Sequence, residues 1–107
     1  MSVWYGVRDL GRARDFYTQR LGFEELYHDR EGGWMRLARD SAELALVESD
    51  EPTGAVLAVD VPDVKAEAAR LREAGVEVGV VLEIHGTIRL VDVYDPEGNR
   101  IQLTQDL

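Results

Sequence analysis

The feature that most constrains this chain is an order of elements written twice. The stretch "SVWYGVR" (2–8) reads as a strand. Asp9 then has the character of a helix N-cap, because its carboxylate can accept from the free backbone N–H groups that follow. Leu10, Ala13, Phe16, Tyr17 and Leu21 recur at helical spacing, and Gly22 is the stop. Three strand-like runs come next: "FEELYH" (23–28), "WMRLAR" (34–39) and "AELALVE" (42–48), with Gly32-Gly33 and Asp40-Ser41 as the turns. The polar stretch "SDEPTG" (49–54) reads as a linker, and the order then restarts. "AVLAVDV" (55–61) is a strand, Asp63 caps a helix with Val64, Ala68 and Leu71 inside, and Gly75 ends it. "EVGVVLEI" (77–84), "TIRLVDVY" (87–94) and "RIQLTQ" (100–105) complete the second set.

Matching positions keep a near-constant offset. Val7, Asp9 and Leu10 correspond to Val61, Asp63 and Val64, each 54 residues later, and Leu44 and Leu46 to Ile101 and Leu103, 57 later. The chain is therefore expected to be α+β: two βαβββ modules, 1–50 and 54–107, within one domain spanning 1–107. A chain of this length can bury a core without metal or disulfide staples. Each helix can cover one face of its sheet. The other face stays open, and two such half-sheets can curl into an open, U-shaped, barrel-like cleft.

Strand alternation selects the side chains of the open faces. Val3, Tyr5 and Val7 suit the helix side, leaving Ser2, Trp4, Gly6 and Arg8 open. By the same rule Trp34 and Arg36, then Glu43, Ala45 and Val47, are open in the first module. Val56, Ala58 and Asp60, then Arg100, Gln102 and Thr104, are open in the second. Trp4, Trp34, Arg36, Ala45, Val56 and Gln102 are thus the candidate ligand-binding residues. Tryptophan on such a face can stack a ligand, or it can plug the barrel or fill a dimer contact. Gln102 can orient an organic ligand, or it can be a solvated or internally paired amide. For acid–base work the candidates are His85 in the turn "EIHGT", Glu43 and Asp60; the plain alternative for all three is a solvated place at the rim. His28, beside Asp29, reads as exposed.

Composition narrows the classes. There is no cysteine, hence no disulfide framework, thiolate metal site or cysteine nucleophile. The net charge of −9 repels nucleic acid and anionic membranes, so neither is an expected partner. No apolar run approaches the ~20 residues of a membrane span, and the first residues lack a signal-peptide layout, so a cytoplasmic protein is expected.

Three stretches carry a family resemblance: "VRDLGRARDFYTQRLGF", "VDVPDVKAEAARLREAGVEV" and "DVYDPEGNRIQL". In that order they resemble the vicinal oxygen chelate superfamily of glyoxalase I, bleomycin-resistance proteins and extradiol dioxygenases. The resemblance implies the paired βαβββ fold, a ligand-sized cleft and a homodimer. It also implies four metal-ligand positions, usually His and Glu, which here hold Ser2, Ala45, Val56 and Gln102. Alanine and valine cannot coordinate, serine is a poor ligand and glutamine offers a neutral carbonyl. No metal and no cofactor are therefore expected. The expected function is metal-independent binding and sequestration of a small apolar or aromatic compound, neutral or cationic, as in antibiotic resistance. The alternative is a metal-independent isomerase, cyclase or lyase with an acid–base residue in the cleft; a regulatory module without a ligand is a third reading.

Overall fold

The computed structural model describes residues 2–51 and 55–107, without the Ser2 side chain; the predicted linker's Pro52–Gly54 lie outside the described residues. The first module runs β1 (Ser2–Val7), α1 (Leu10–Asp15), a π-helical turn (Phe16–Arg20), β2 (Glu24–Asp29), β3 (Trp34–Arg39) and β4 (Ala42–Glu48). The second runs β5 (Leu57–Asp60), α2 (Val64–Glu73), β6 (Glu77–Val78), β7 (Leu82–Ile84), β8 (Ile88–Tyr94) and β9 (Arg100–Asp106). The arrangement is mixed α+β with two open sheets and no closed barrel.

Both helices start as their sequences demand. Asp9 accepts from the Arg12 N–H at 3.0 Å, and Asp63 from the Ala66 N–H at 3.1 Å. Gly22 and Gly75 end them with φ of 70° and 83°, a left-handed conformation that costs glycine little.

The sheets repeat one topology. The first has strand order β1-β4-β3-β2, with β1 parallel to β4. In the second, β5 runs parallel to β9, β9 pairs β8, and β8 carries both β6 and β7. The single strand expected over 77–84 is divided: pairing ends at Gly79, whose N–H donates to the Asp92 carbonyl at 2.8 Å and whose own carbonyl accepts from Arg72 at 2.7 Å. The helix-covered side chains of both sheets meet in one core, which includes Tyr5, Leu44, Leu46, Val59, Ile101 and Leu103.

Candidate functional site

Hydrogen-bond register orders the open faces. Across the first sheet one row reads Trp4–Ala45–Arg36–Tyr27, and the next reads Gly6–Val47–Trp34–Asp29. Trp4 stands on β1 and Trp34 and Arg36 on β3, with β4 between them. Two strand spacings, roughly 10 Å between backbones, separate β1 from β3, and Trp4 and Trp34 stand on neighbouring cross-strand rows. The floor is Ala45 and Val47, both half-buried.

One wall is braced from behind. The Trp34 indole N–H donates to Asp29 Oδ2 at 3.2 Å, and the Gly32 N–H donates to Asp29 Oδ1 at 2.9 Å. Tyr27 packs against Trp34 at 5.3 Å between ring centroids, and the Arg36 guanidinium lies 5.9 Å from the Trp34 ring. Arg36 also pairs with Glu43 at 3.3 Å, so the charge of that wall is balanced. Trp4, the other wall, is 49% exposed.

Around Gln102 the open face of the second sheet is polar. Gln102 is opposite Ala58 on one side and Asp92 on the other. Its Nε2 donates to Asp92 Oδ1 at 3.5 Å, and Arg100 lies 3.5 Å from Asp92 Oδ2. Asp60 accepts from the Thr104 hydroxyl at 2.7 Å. Val56 lies just before β5 and is half-buried. The structure thus gathers Trp4, Trp34, Arg36 and Ala45 on one sheet and places Gln102 on the other.

The acid–base candidates sit apart. His85 is exposed at the tip of the β7–β8 hairpin, where positive φ at His85 (51°) and Gly86 (66°) makes a primed turn. Asp60 lies three strand spacings from β7, roughly 14 Å, and Glu43 belongs to the first sheet. His28, expected to be exposed, is half-buried on β2 and lines a pocket with Leu10, Arg14 and Met35.

The four positions implied for metal ligands do not fit a divalent ion. Ala45 and Val56 carry no donor atom, Gln102 offers a single neutral carbonyl oxygen, and the Ser2 side chain lies outside the described residues. Among the described residues no group of three or more His, Asp or Glu side chains is placed to hold a metal.

Sequence reasoning passes over Asp92 and over what the turn Asp95–Asn99 touches. The signal for Asp92 was its place between Val91 and Val93, whose burial turns it to the open face. The turn ties the second module to the first. Asp95 is buried and accepts from the Tyr17 hydroxyl at 2.9 Å and from Asn99 Nδ2 at 2.9 Å. The Glu97 carboxylate accepts from the backbone N–H groups of Arg8 (2.6 and 2.8 Å) and Asp9 (3.0 Å). A pocket of about 590 Å³ opens beside this junction, lined by Arg8, Asp9, Asp50, Glu51 and Glu97 among others, and holds none of the candidate ligand-binding or acid–base residues.

With paired βαβββ modules and an open sheet face per module, the chain has the architecture of one widespread class of small-molecule-handling proteins. It belongs to the Glyoxalase/Bleomycin resistance protein/Dioxygenase superfamily, whose family model matches residues 2–103. Among solved structures it is similar to TnmS3, an antibiotic binding protein from Streptomyces sp. CB03234, with 31% identity, 99% of this chain and 93% of that chain covered, and a TM-score of 0.84. It is also similar to a glyoxalase/bleomycin resistance protein from the same strain, with 31% identity, 97% of each chain covered and a TM-score of 0.82. The bleomycin resistance determinant encoded on transposon Tn5 shares the fold at 19% identity, with 99% and 96% covered and a TM-score of 0.80. Among curated proteins none matches. No helix among the described residues is long and apolar enough to cross a membrane.

Proposed function

We propose that this chain is a metal-independent binding protein of the cytoplasm that sequesters a small aromatic or apolar compound, neutral or cationic, and releases it unchanged. The observation that carries this reading is the trough on the first sheet. Its floor is Ala45, where the family's enzymes place a ligand residue, and its walls are Trp4 and the braced Trp34. Apolar walls with a few directed polar groups are what small-molecule sites are made of. The similarity to an antibiotic binding protein at 31% identity supports the same reading. The acid–base candidates favour binding over turnover: Asp60 is engaged by Thr104, Glu43 by Arg36, and His85 stands at a hairpin tip.

A homodimer belongs to this proposal. Trp4, Arg36 and Ala45 on one sheet and Gln102 on the other are exposed or half-buried in the single chain. A second copy laid over these faces would enclose a ligand between a first sheet and a second sheet.

Saturable quenching of tryptophan fluorescence by aromatic natural products tests the reading, with Trp4→Ala and Trp34→Ala each expected to weaken binding about tenfold through lost stacking and area. The bound compound should be recovered intact and in stoichiometric amount. Recovery of a chemically altered compound would establish the enzyme alternative, and saturable binding by neither route would refute a ligand site on this face. Elemental analysis of the purified protein should show no stoichiometric divalent metal.

A further inference from the structure

We infer that Asp92 is a positioning residue that fixes the Gln102 amide with its carbonyl oxygen outward, so that the site selects ligands that donate a hydrogen bond to it. This rests on the binding reading above and adds a chemical class to it: aromatic compounds bearing a hydroxyl or amine at the end that meets the second sheet.

The amide has two orientations, and its neighbours distinguish them. Asp92 is opposite Gln102 on β8, and an ionised carboxylate only accepts hydrogen bonds. At 3.5 Å from Asp92 Oδ1 the Gln102 side chain must present its NH2 group, because the flipped amide would set a carbonyl oxygen against a carboxylate. The Gln102 Oε1 then points away from Asp92. The groups around it reinforce that polarity: Ala58, its other cross-strand neighbour, has no polar side-chain atom, and the Thr104 hydroxyl is spent on Asp60. Arg100 balances the Asp92 charge at 3.5 Å, so the preference concerns hydrogen-bond direction more than net charge. A ligand that offers only acceptors would leave Oε1 desolvated and unpaired.

Two neutral probes of nearly equal shape test this: 2-naphthol, which donates, and 2-methoxynaphthalene, which only accepts. Affinities for wild type, Asp92→Asn and Gln102→Leu would be measured by equilibrium dialysis. Wild type is expected to prefer 2-naphthol by about two- to tenfold, the range of one net hydrogen bond. In Asp92→Asn the new amide can donate to Gln102, the glutamine can flip, and the preference should fall toward one. Gln102→Leu should bind both probes with a ratio near one, a change in selectivity that loss of stability alone does not produce. If both probes bind wild type equally, or if Asp92→Asn keeps the full preference, the positioning role is wrong while the binding reading stands. If neither probe binds wild type, the binding reading itself fails for this ligand class, and the inference falls with it.

Discussion

Tyr17 and Tyr5 show how single side chains join the modules. Tyr17 is buried, and its hydroxyl donates to Asp95 across 78 residues of sequence. The Tyr5 hydroxyl accepts from the Leu57 N–H at 2.8 Å and donates to the Arg100 carbonyl at 2.7 Å, so one group on β1 binds the start of both β5 and β9. Burial pushes the Tyr5 hydroxyl up to about 12, and burial together with the Asp95 charge pushes Tyr17 higher still. A phenol that ionises later in the folded than in the unfolded chain stabilises the fold at every pH below the unfolded value near 10, and that contribution is lost as pH rises through the folded value. Stability measured by urea denaturation should therefore hold to about pH 10 and decline above it, with a smaller decline in Tyr17→Phe. At neutral pH Tyr17→Phe should cost about 1.5–3 kcal/mol, because it removes a hydrogen bond to a charged, buried acceptor; a loss below about 0.5 kcal/mol would mean that Asn99 and the backbone satisfy Asp95 alone.

The Asp95–Asn99 turn is the element that ties the second module to the first. Gly98 has φ of 87°, and a Cβ at this position would meet nothing within 4 Å, so a side chain there is opposed by backbone conformation rather than by space. Gly98→Ala should cost about 1–2 kcal/mol, measurable as a drop in urea midpoint without a change in slope. Retention of the wild-type midpoint would show that the turn relaxes. The turn also marks how far local pattern could be read. Helix faces, caps and the alternation in β4 follow from periodicity, and the buried sets Ala13, Phe16, Tyr17 and Val64, Ala68, Leu71 are those the spacing implied; in β9 the alternation breaks at Thr104, expected open but buried where its hydroxyl donates to Asp60. That Trp4 and Ala45 share one face was legible for the same reason, and the register pairs them directly. What the turn touches was not legible, because Glu97 caps backbone groups 88 and 89 residues away and no local pattern encodes that contact. The break at Gly79 was hidden too: "EVGVVLEI" has the composition of a strand, and only pairing with β8 shows that residues 79–81 leave the ladder.

At the scale of the molecule, the modules are held together in pairs of charges as well as in the core. Arg39, at the end of β3, donates to the Leu21 carbonyl at 2.9 Å and to Glu67 of α2 at 2.9 Å, and Arg70 reaches the same carboxylate at 2.7 Å. Burial alone would raise the Glu67 carboxyl, but hydrogen bonds from Arg39 and Arg70 overcome it and hold the group below its ordinary value. Its contribution is thus present above the unfolded value and is lost as pH falls through the folded one. Glu67→Gln should remove that acid-side dependence and lower stability at neutral pH by about 1–3 kcal/mol, as read from urea denaturation at pH 7 and pH 3.

Each sheet leaves one face open, and its outer border is interrupted. β2 borders the first sheet with a bulge between Glu25 and Tyr27 and three acidic residues, and the β6–β7 border of the second is interrupted; both devices discourage edge pairing. On the open face of the second sheet Leu82 is 53% and Ile84 43% exposed, opposite the half-buried Leu90 and Ile88. On the open face of the first, Trp4 and Tyr27 are exposed to a similar degree. Apolar side chains on both faces have the composition of a contact, and fully burying a large aliphatic side chain contributes about 1.5–3 kcal/mol. A two-fold dimer that sets the first sheet of one copy over the second sheet of the other would cover both, twice over. Light scattering at micromolar concentration should then give twice the 12.0 kDa of the chain. The double substitution Leu82→Glu and Ile84→Glu should return the single-chain mass with the circular dichroism unchanged, since both side chains lie outside the core. A wild-type mass of 12.0 kDa would leave these faces to ligand and solvent alone, and a dimer that survives the double substitution would place the contact elsewhere on the molecule.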